Sequence, residues 1–279
     1  MGWPMAANLL QAGHDVTVHD TDTAITTRFV VAHGGKQATQ LAELAAAEVV
    51  ITMLPNGQVV RQVYAELGPR LQPGTVAIDM SSSDPTGTRS LGQALARSGV
   101  VLLDAPVSGT VTRAKPGTLT IMIGGDDRDA IERVKPLLGA MGNRLFETGP
   151  LGTGHAMKAL NNFVAAAGYT AASEALLAGQ RFGLEPARML EIMNVSTGRN
   201  FNTEVVMADH VLGRKFATGF TLGLLAKDVK TAADLAAATG LDAPMARLVA
   251  ERYALAQTKL GAARDNTEAI LSWDNPLPE

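Results

Sequence analysis

The sequence predicts an α/β domain built on a mainly parallel sheet, followed by an all-α domain. Three observations predict it. Short apolar, β-branched runs alternate with segments of helical period up to residue 148. Helices of about ten residues between strands make crossovers, which leave neighbouring strands parallel. A Gly/Pro-rich break at 148–154 ends the alternation, and no strand pattern follows it.

The expected strands are 15–20 (DVTVHD), 49–54 (VVITML), 75–80 (TVAIDM), 100–104 (VVLLD), 118–123 (TLTIMI) and 144–148. Their near-continuous hydrophobicity suits strands buried on both faces. Helical patterns lie between them at 4–12, 24–32, 58–67, 86–97 and 127–139. Beyond the break, 156–182 reads as one helix of about 40 Å, long enough to bridge two domains. Further helices are expected at 186–194, 204–213, 222–239 and 244–260, with a tail ending in Trp273. The organisation expected is a sheet domain over 1–153, a long interdomain helix over 154–182 and a helical domain over 183–279.

Composition narrows the function. At 279 residues, with 46% hydrophobic and 18% charged residues, the chain is long and apolar enough for a substantial core. A net charge of −3 with scattered lysines and arginines gives no basic stripe for nucleic acid, so a small-molecule partner is expected. The chain has no cysteine, which excludes disulfides, thiolate zinc sites and cysteine nucleophiles. Histidines 14, 19, 33, 155 and 210 show no metal-ligand spacing, so no metal is expected. No run of about 18 apolar residues and no leader pattern is found, which makes a soluble cytoplasmic protein the default expectation.

The first twenty residues read as part of a dinucleotide fold. A helix with proline in its first turn and glycine just past its end runs into a strand that ends in Asp20. In a Rossmann-type domain a strand feeds a G-x-G-x-x-G turn, the next helix points at the pyrophosphate, and an acid about 20 residues on binds the ribose. Here the helix, the second strand and the acid are present, and Gly2 stands at the third glycine. The first strand and the first two glycines are missing. An acid ending a strand also serves solubility alone, but the register of Asp20 with Gly2 favours the ribose. The expectation is a natural protein that begins about ten residues earlier, since the second and fourth strands would each lose a neighbour. Thr21 follows Asp20, and no arginine lies near enough to take a 2′-phosphate, so NAD is expected over NADP.

Residues 152–162, G-T-G-H-A-M-K-A-L-N-N, place Lys158, Asn161 and Asn162 at i, i+3 and i+4 on one helical face. The run from 163 to 177 has the composition of a helix buried on nearly all sides. A lysine there is suited to move a proton; the alternative is a lysine snorkelling to the surface past structural amides.

The chain resembles the β-hydroxyacid dehydrogenases, the group of 3-hydroxyisobutyrate dehydrogenase and tartronate semialdehyde reductase, related to 6-phosphogluconate dehydrogenase. The resemblance rests on M-G-W-P-M-A-A-N-L at 1–9, M-L-P at 53–55, D-M-S-S at 79–82, D-A-P-V-S-G-T at 104–110, the lysine segment, and L-A-K-D-V at 225–229. It implies NAD-dependent oxidation of a small 3-hydroxy carboxylate. It also implies Lys158 as general acid/base, Asn162 as the amide that orients substrate, and Ser108, Gly109 and Thr110 as the loop for the substrate carboxylate. Cofactor contacts are implied for Gly2, Asp20, Leu54, Pro55, Ser82 and Lys227, and a homodimer or homotetramer for the assembly. The family usually has a second glycine where this chain has Thr110; if that position needs φ > 0, a β-branched residue is strained there.

Each assignment has a plainer alternative. Residues 81–83 could merely cap the helix expected near Thr86, and Lys227 with Asp228 could be a solvated pair. Arg199 and Phe201 in T-G-R-N-F are candidate specificity residues. Two rival functions stay open: a non-catalytic dinucleotide-binding or oligomerising protein, and an imine reductase, which Lys158 opposes.

Overall fold

A computed structural model describes residues 1–273. It divides into two compact units, Met1–Lys158 and Ala159 onward. The boundary falls inside the long helix, five residues beyond the sequence boundary at 153.

The first unit contains α1 (Gly2–Gln11), β1 (Thr17–Val18), α2 (Thr23–His33), β2 (Lys36–Gln37), β3 (Val49–Thr52), α3 (Gly57–Leu67), β4 (Val76–Asp79), α4 (Pro85–Ala96), β5 (Val101–Asp104), β6 (Val107–Ser108), α5 (Thr110–Ala114), β7 (Leu119–Gly124), α6 (Arg128–Gly139) and β8 (Gly142–Gly149). Strands β3, β4 and β5 are parallel, with Val49 opposite Val76 and Val76 opposite Val101. β7 runs antiparallel to β5 and β6 and parallel to β8.

The sheet is covered on both sides, as its hydrophobic strands require. Val76, Ile78, Leu103, Ile121 and Ile123 pack into one cluster with Met5, Ile131 and Leu138. Their strand neighbours Val50, Ala77 and Leu102 pack with Val60, Tyr64 and Leu95. Side chains that alternate between faces supply both cores.

The strand expected at 15–20 is only Thr17–Val18, paired with β2 in a separate two-stranded sheet. Among the described residues no strand joins β1 to β3. β2 and β6 lie outside the sequence expectation, because two-residue strands carry no readable alternation.

The second unit is helical. The long helix α7 (Thr153–Phe182) starts in the first unit and continues into α8 (Pro186–Asn194), α9 (Leu222–Ala238), α10 (Pro244–Leu260) and the short α11 (Ala269–Trp273). Leu176, Met207, Leu225, Val229, Val249 and Tyr253 share its core. Tyr253 and Trp273 meet edge to face with ring centroids 5.6 Å apart. The helix expected at 204–213 is a π-helix, Asn202–Leu212, in which Asn202, Val206, Met207 and Val211 are buried. Thr203 is fully buried as well, so Thr203, Val206, Met207 and Val211 form a face that an α-helical spacing also fits.

Candidate active site

At the start of α1, Met1 makes no side-chain cap and the first turn carries no acid. The orphan N–H groups of that turn suit an anion. A Cβ on Gly2 would meet nothing closer than the Met53 side chain at 3.8 Å. Asp20 is exposed just beyond β1, and its Oδ1 accepts the Asp22 N–H at 2.9 Å.

Leu54 and Pro55 lie in the loop after β3, which ends at Thr52 rather than at residue 54. The Leu54 N–H donates to Ser81 Oγ at 2.9 Å, which ties this loop to the one that carries Ser82. Ser83 Oγ donates to Asp79 Oδ2 at 2.6 Å. Ser81 and Ser83 are thus spent on Leu54 and Asp79 rather than on capping α4. That task falls to Asp84, whose Oδ1 accepts the Gly87 N–H at 2.6 Å while Oδ2 pairs with Arg61 at 2.7 Å. Burial pushes the Asp84 carboxyl up, but the Arg61 guanidinium and the Gly87 amide together hold it below its ordinary value.

Ser108 ends β6 and the Gly109–Thr110 turn follows it. Gly109 has φ +138° and Thr110 has φ +56°. The strain expected of a β-branched residue at this position is therefore present.

The first turn of α7 is anchored to the ends of β4 and β5. Asp104 is fully buried and accepts the N–H groups of Gly152 and His155, each at 2.7 Å. One carboxylate from the sheet thus caps two orphan amides of the helix start. Glycine makes the approach feasible: a Cβ at residue 154 would stand 2.4 Å from the Met122 carbonyl oxygen and 2.9 Å from Asp104 Oδ2. His155 lies between Asp104 and Asp79, with Nδ1 2.9 Å from Thr88 Oγ1 and Nε2 3.6 Å from Asp79 Oδ2.

Lys158 follows on this helix and is half-buried, Asn162 is buried, and Asn161 is exposed. The expectation of a helix buried on nearly all sides fails: Val164 is 67% exposed, and α7 hides one face only. Its alanines and small residues are equally compatible with a half-exposed helix, which composition alone does not separate.

In the second unit Asn162 Nδ2 donates to Asp228 Oδ2 at 2.6 Å, and Lys227 Nζ donates to Asp228 Oδ1 at 2.7 Å. Asp228 is 2% exposed, so the pair at 227–228 is no solvated surface pair. Arg199 lies 3.5 Å from Glu204, and Phe201 is exposed.

Asp79, Asp104, His155 and Asp228 were not singled out by sequence reasoning. The signal available for the first two was an acid at the end of a strand otherwise too apolar to face water. Among the described residues no group of His, Asp or Glu could hold a metal ion, and no helix is long and apolar enough to cross a membrane.

A family model for the NAD-binding domain of 6-phosphogluconate dehydrogenase matches residues 1–149, and one for the NAD-binding domain of NADP-dependent 3-hydroxyisobutyrate dehydrogenase matches 152–273. The chain is 36% identical over 274 residues to an NAD-dependent L-serine dehydrogenase of Pseudomonas aeruginosa, covering 95% of this chain and 92% of that protein. It is 33% identical over 279 residues to a 2-(hydroxymethyl)glutarate dehydrogenase of Eubacterium barkeri, covering 98% and 92%. A solved structure of Mycobacterium tuberculosis 3-hydroxyisobutyrate dehydrogenase with L-serine superposes with a TM-score of 0.90 at 34% identity, covering 99% and 96%. With matching models along both halves of its length and relatives above 30% identity end to end, the chain belongs to the β-hydroxyacid dehydrogenase family.

Proposed function

We propose that the chain transfers a hydride between NAD and the hydroxyl-bearing carbon of a small 3-hydroxy carboxylate, with Lys158 as general acid/base. The observation that carries this reading is the helix that holds Lys158 and Asn162 one turn apart. Its start is capped by Asp104, and the Asn162 amide is fixed by Asp228. Because Nδ2 of Asn162 spends one proton on Asp228, its second N–H is left to orient a substrate oxygen.

The residues present fit a dinucleotide. The first turn of α1 offers uncapped amides to a pyrophosphate, and Asp20 is exposed to take a ribose hydroxyl and to repel a 2′-phosphate. Leu54, Pro55, Ser82 and Lys227 are the further contacts assigned to it. When bound, NAD supplies the hydride acceptor. The chain's own groups handle the proton. As the substrate C–H bond breaks, Lys158 Nζ takes the hydroxyl proton; in the reverse direction its ammonium gives one to the growing alkoxide. Ser108, Gly109 and Thr110 are assigned to the carboxylate.

L-Serine and 3-hydroxyisobutyrate are the first substrates to test, since relatives are named for them. The assay follows nicotinamide absorbance for the purified chain with NAD and these acids. Turnover that disappears in Lys158→Ala supports the reading; equal turnover in that variant, or none with any 3-hydroxy acid, overturns it. We also infer a cytoplasmic homodimer or homotetramer. The exposed stripe of Met245, Leu248 and Leu255 on α10 supports self-association, and light scattering of the purified protein checks it.

A further inference from the structure

The buried cluster around His155 has no part in the proton transfer proposed above. The His155 ring is wholly buried, and its Nε2 makes no hydrogen bond although it faces Asp79 Oδ2 at 3.6 Å. Thr88 Oγ1, 2.9 Å from Nδ1, also lies 3.0 Å from the Asp84 carbonyl oxygen. Its single proton goes to one of these two. If it goes to Nδ1, the neutral ring carries its own proton on Nε2. If it goes to the carbonyl, Nδ1 donates to Thr88 and the neutral ring turns a bare Nε2 lone pair toward the Asp79 carboxylate, an arrangement with nothing to hold the two together. Only the first arrangement aims an Nε2 proton at Asp79, and it is the one in which the two buried groups attract each other.

Asp79 is the root of both loops assigned to the cofactor. Its Oδ1 accepts from Thr52 Oγ1 and from the Ser81 N–H, each at 3.0 Å, and its Oδ2 accepts from Ser83 Oγ at 2.6 Å. Ser81 Oγ in turn receives the Leu54 N–H. His155 stands three residues before Lys158, and its own N–H is bound by Asp104.

We infer that His155 is a positioning residue that locks the Lys158 end of α7 to the Leu54 and Ser82 loops through Asp79, so that the proton-transfer group and the cofactor loops keep one register. This rests on the roles given to Lys158, Leu54 and Ser82 above. A misplacement of about 1 Å at a reacting group costs on the order of 100-fold in rate, which sets the scale of the effect.

The test compares His155→Leu, which fills the space without a donor, with His155→Gln, which keeps an N–H at about the reach of Nε2. In the full chain, kcat, the two KM values and NADH binding by nicotinamide fluorescence are measured for each, with the 15N-histidine NMR spectrum of the unaltered protein. The expected result is a kcat loss of about 10- to 100-fold in His155→Leu. NADH binding should weaken in that variant, His155→Gln should be restored to within about three-fold, and a proton should be seen on Nε2. Unchanged kcat per folded molecule in His155→Leu, equal damage in both variants, or an unprotonated Nε2 overturns the inference. Should His155→Leu fail to fold, Thr88→Val keeps the ring and removes its Nδ1 partner, and full activity there counts against the lock. If the unaltered chain turns over no hydroxy acid, the functional reading fails, while NADH binding in the two variants and the Nε2 proton still decide the role of His155.

Discussion

Two stretches of this chain are assigned to the substrate, and they are built in opposite ways. The start of α7 is regular helix. Its orphan amides are taken by Asp104, and its glycines let the sheet come close. The turn after β6 is held against its own preference, with Thr110 at φ +56°. A left-handed backbone costs a residue with a Cβ about 1–2 kcal/mol. The lesson is a division of labour. The group assigned to the proton sits on a helix anchored by hydrogen bonds to Asp104, whereas the loop assigned to the carboxylate stores strain and is where substrate choice can drift without damage to the chemistry.

The sharpest way to break that division is Lys158→Ala. General acid–base catalysis contributes about 10²- to 10⁴-fold, so kcat should fall by that much while NADH binding, followed by fluorescence, stays intact. A loss confined to KM would remove Lys158 from the chemistry. Asp228→Asn keeps shape but takes the charge from the acceptor that fixes Asn162. Charge-assisted hydrogen bonds are about twice as strong as neutral ones, and a loss of about ten-fold in kcat/KM is expected by steady-state kinetics. An unaltered value would mean that Asn162 needs no such anchor.

Thr110→Gly should act the other way. Relief of the left-handed strain, offset by the entropy of glycine, should stabilise the protein by about 1 kcal/mol in thermal melts. Its kcat should change little while the ratio of kcat/KM for L-serine over 3-hydroxyisobutyrate moves. Destabilisation would show that the loop is not strained. The smallest effect concerns Asp84. Its folded carboxyl lies below the unfolded value, so the stability it contributes is complete above about pH 4 and is lost as the pH falls through the lowered value. Asp84→Asn should flatten the acid limb of the melting curve, with no change in the pH response added by Thr110→Gly.

Where hydrophobic period and length were strong, the sequence was a good guide. α10 lies at 244–260 as read, and β4 and β5 differ from the reading by a residue or two. That Lys158 and Asn162 share one helical face was legible from spacing, while the roles proposed for them come from the family resemblance. The rest was hidden for physical reasons. β6 is two residues long, and the π-helix at Asn202–Leu212 buries Thr203, Val206, Met207 and Val211 at a spacing that an α-helix shares, so the pattern gives no sign of the wider turn. Asp104 and His155 are neighbours through the register of β5 and the start of α7, 51 positions apart in sequence. Asp228 meets Asn162 across 66 positions, a separation that no local pattern encodes.

The split of the strands into two sheets leaves an open edge among the described residues. β3, with Val49, Val50, Ile51 and Thr52, is paired on one side by β4, and no described strand lies against its other side. A row of main-chain donors and acceptors on β-branched residues is a template that another molecule can extend. A second molecule that met this edge would be held by main-chain hydrogen bonds, unlike the apolar contact offered by the α10 stripe.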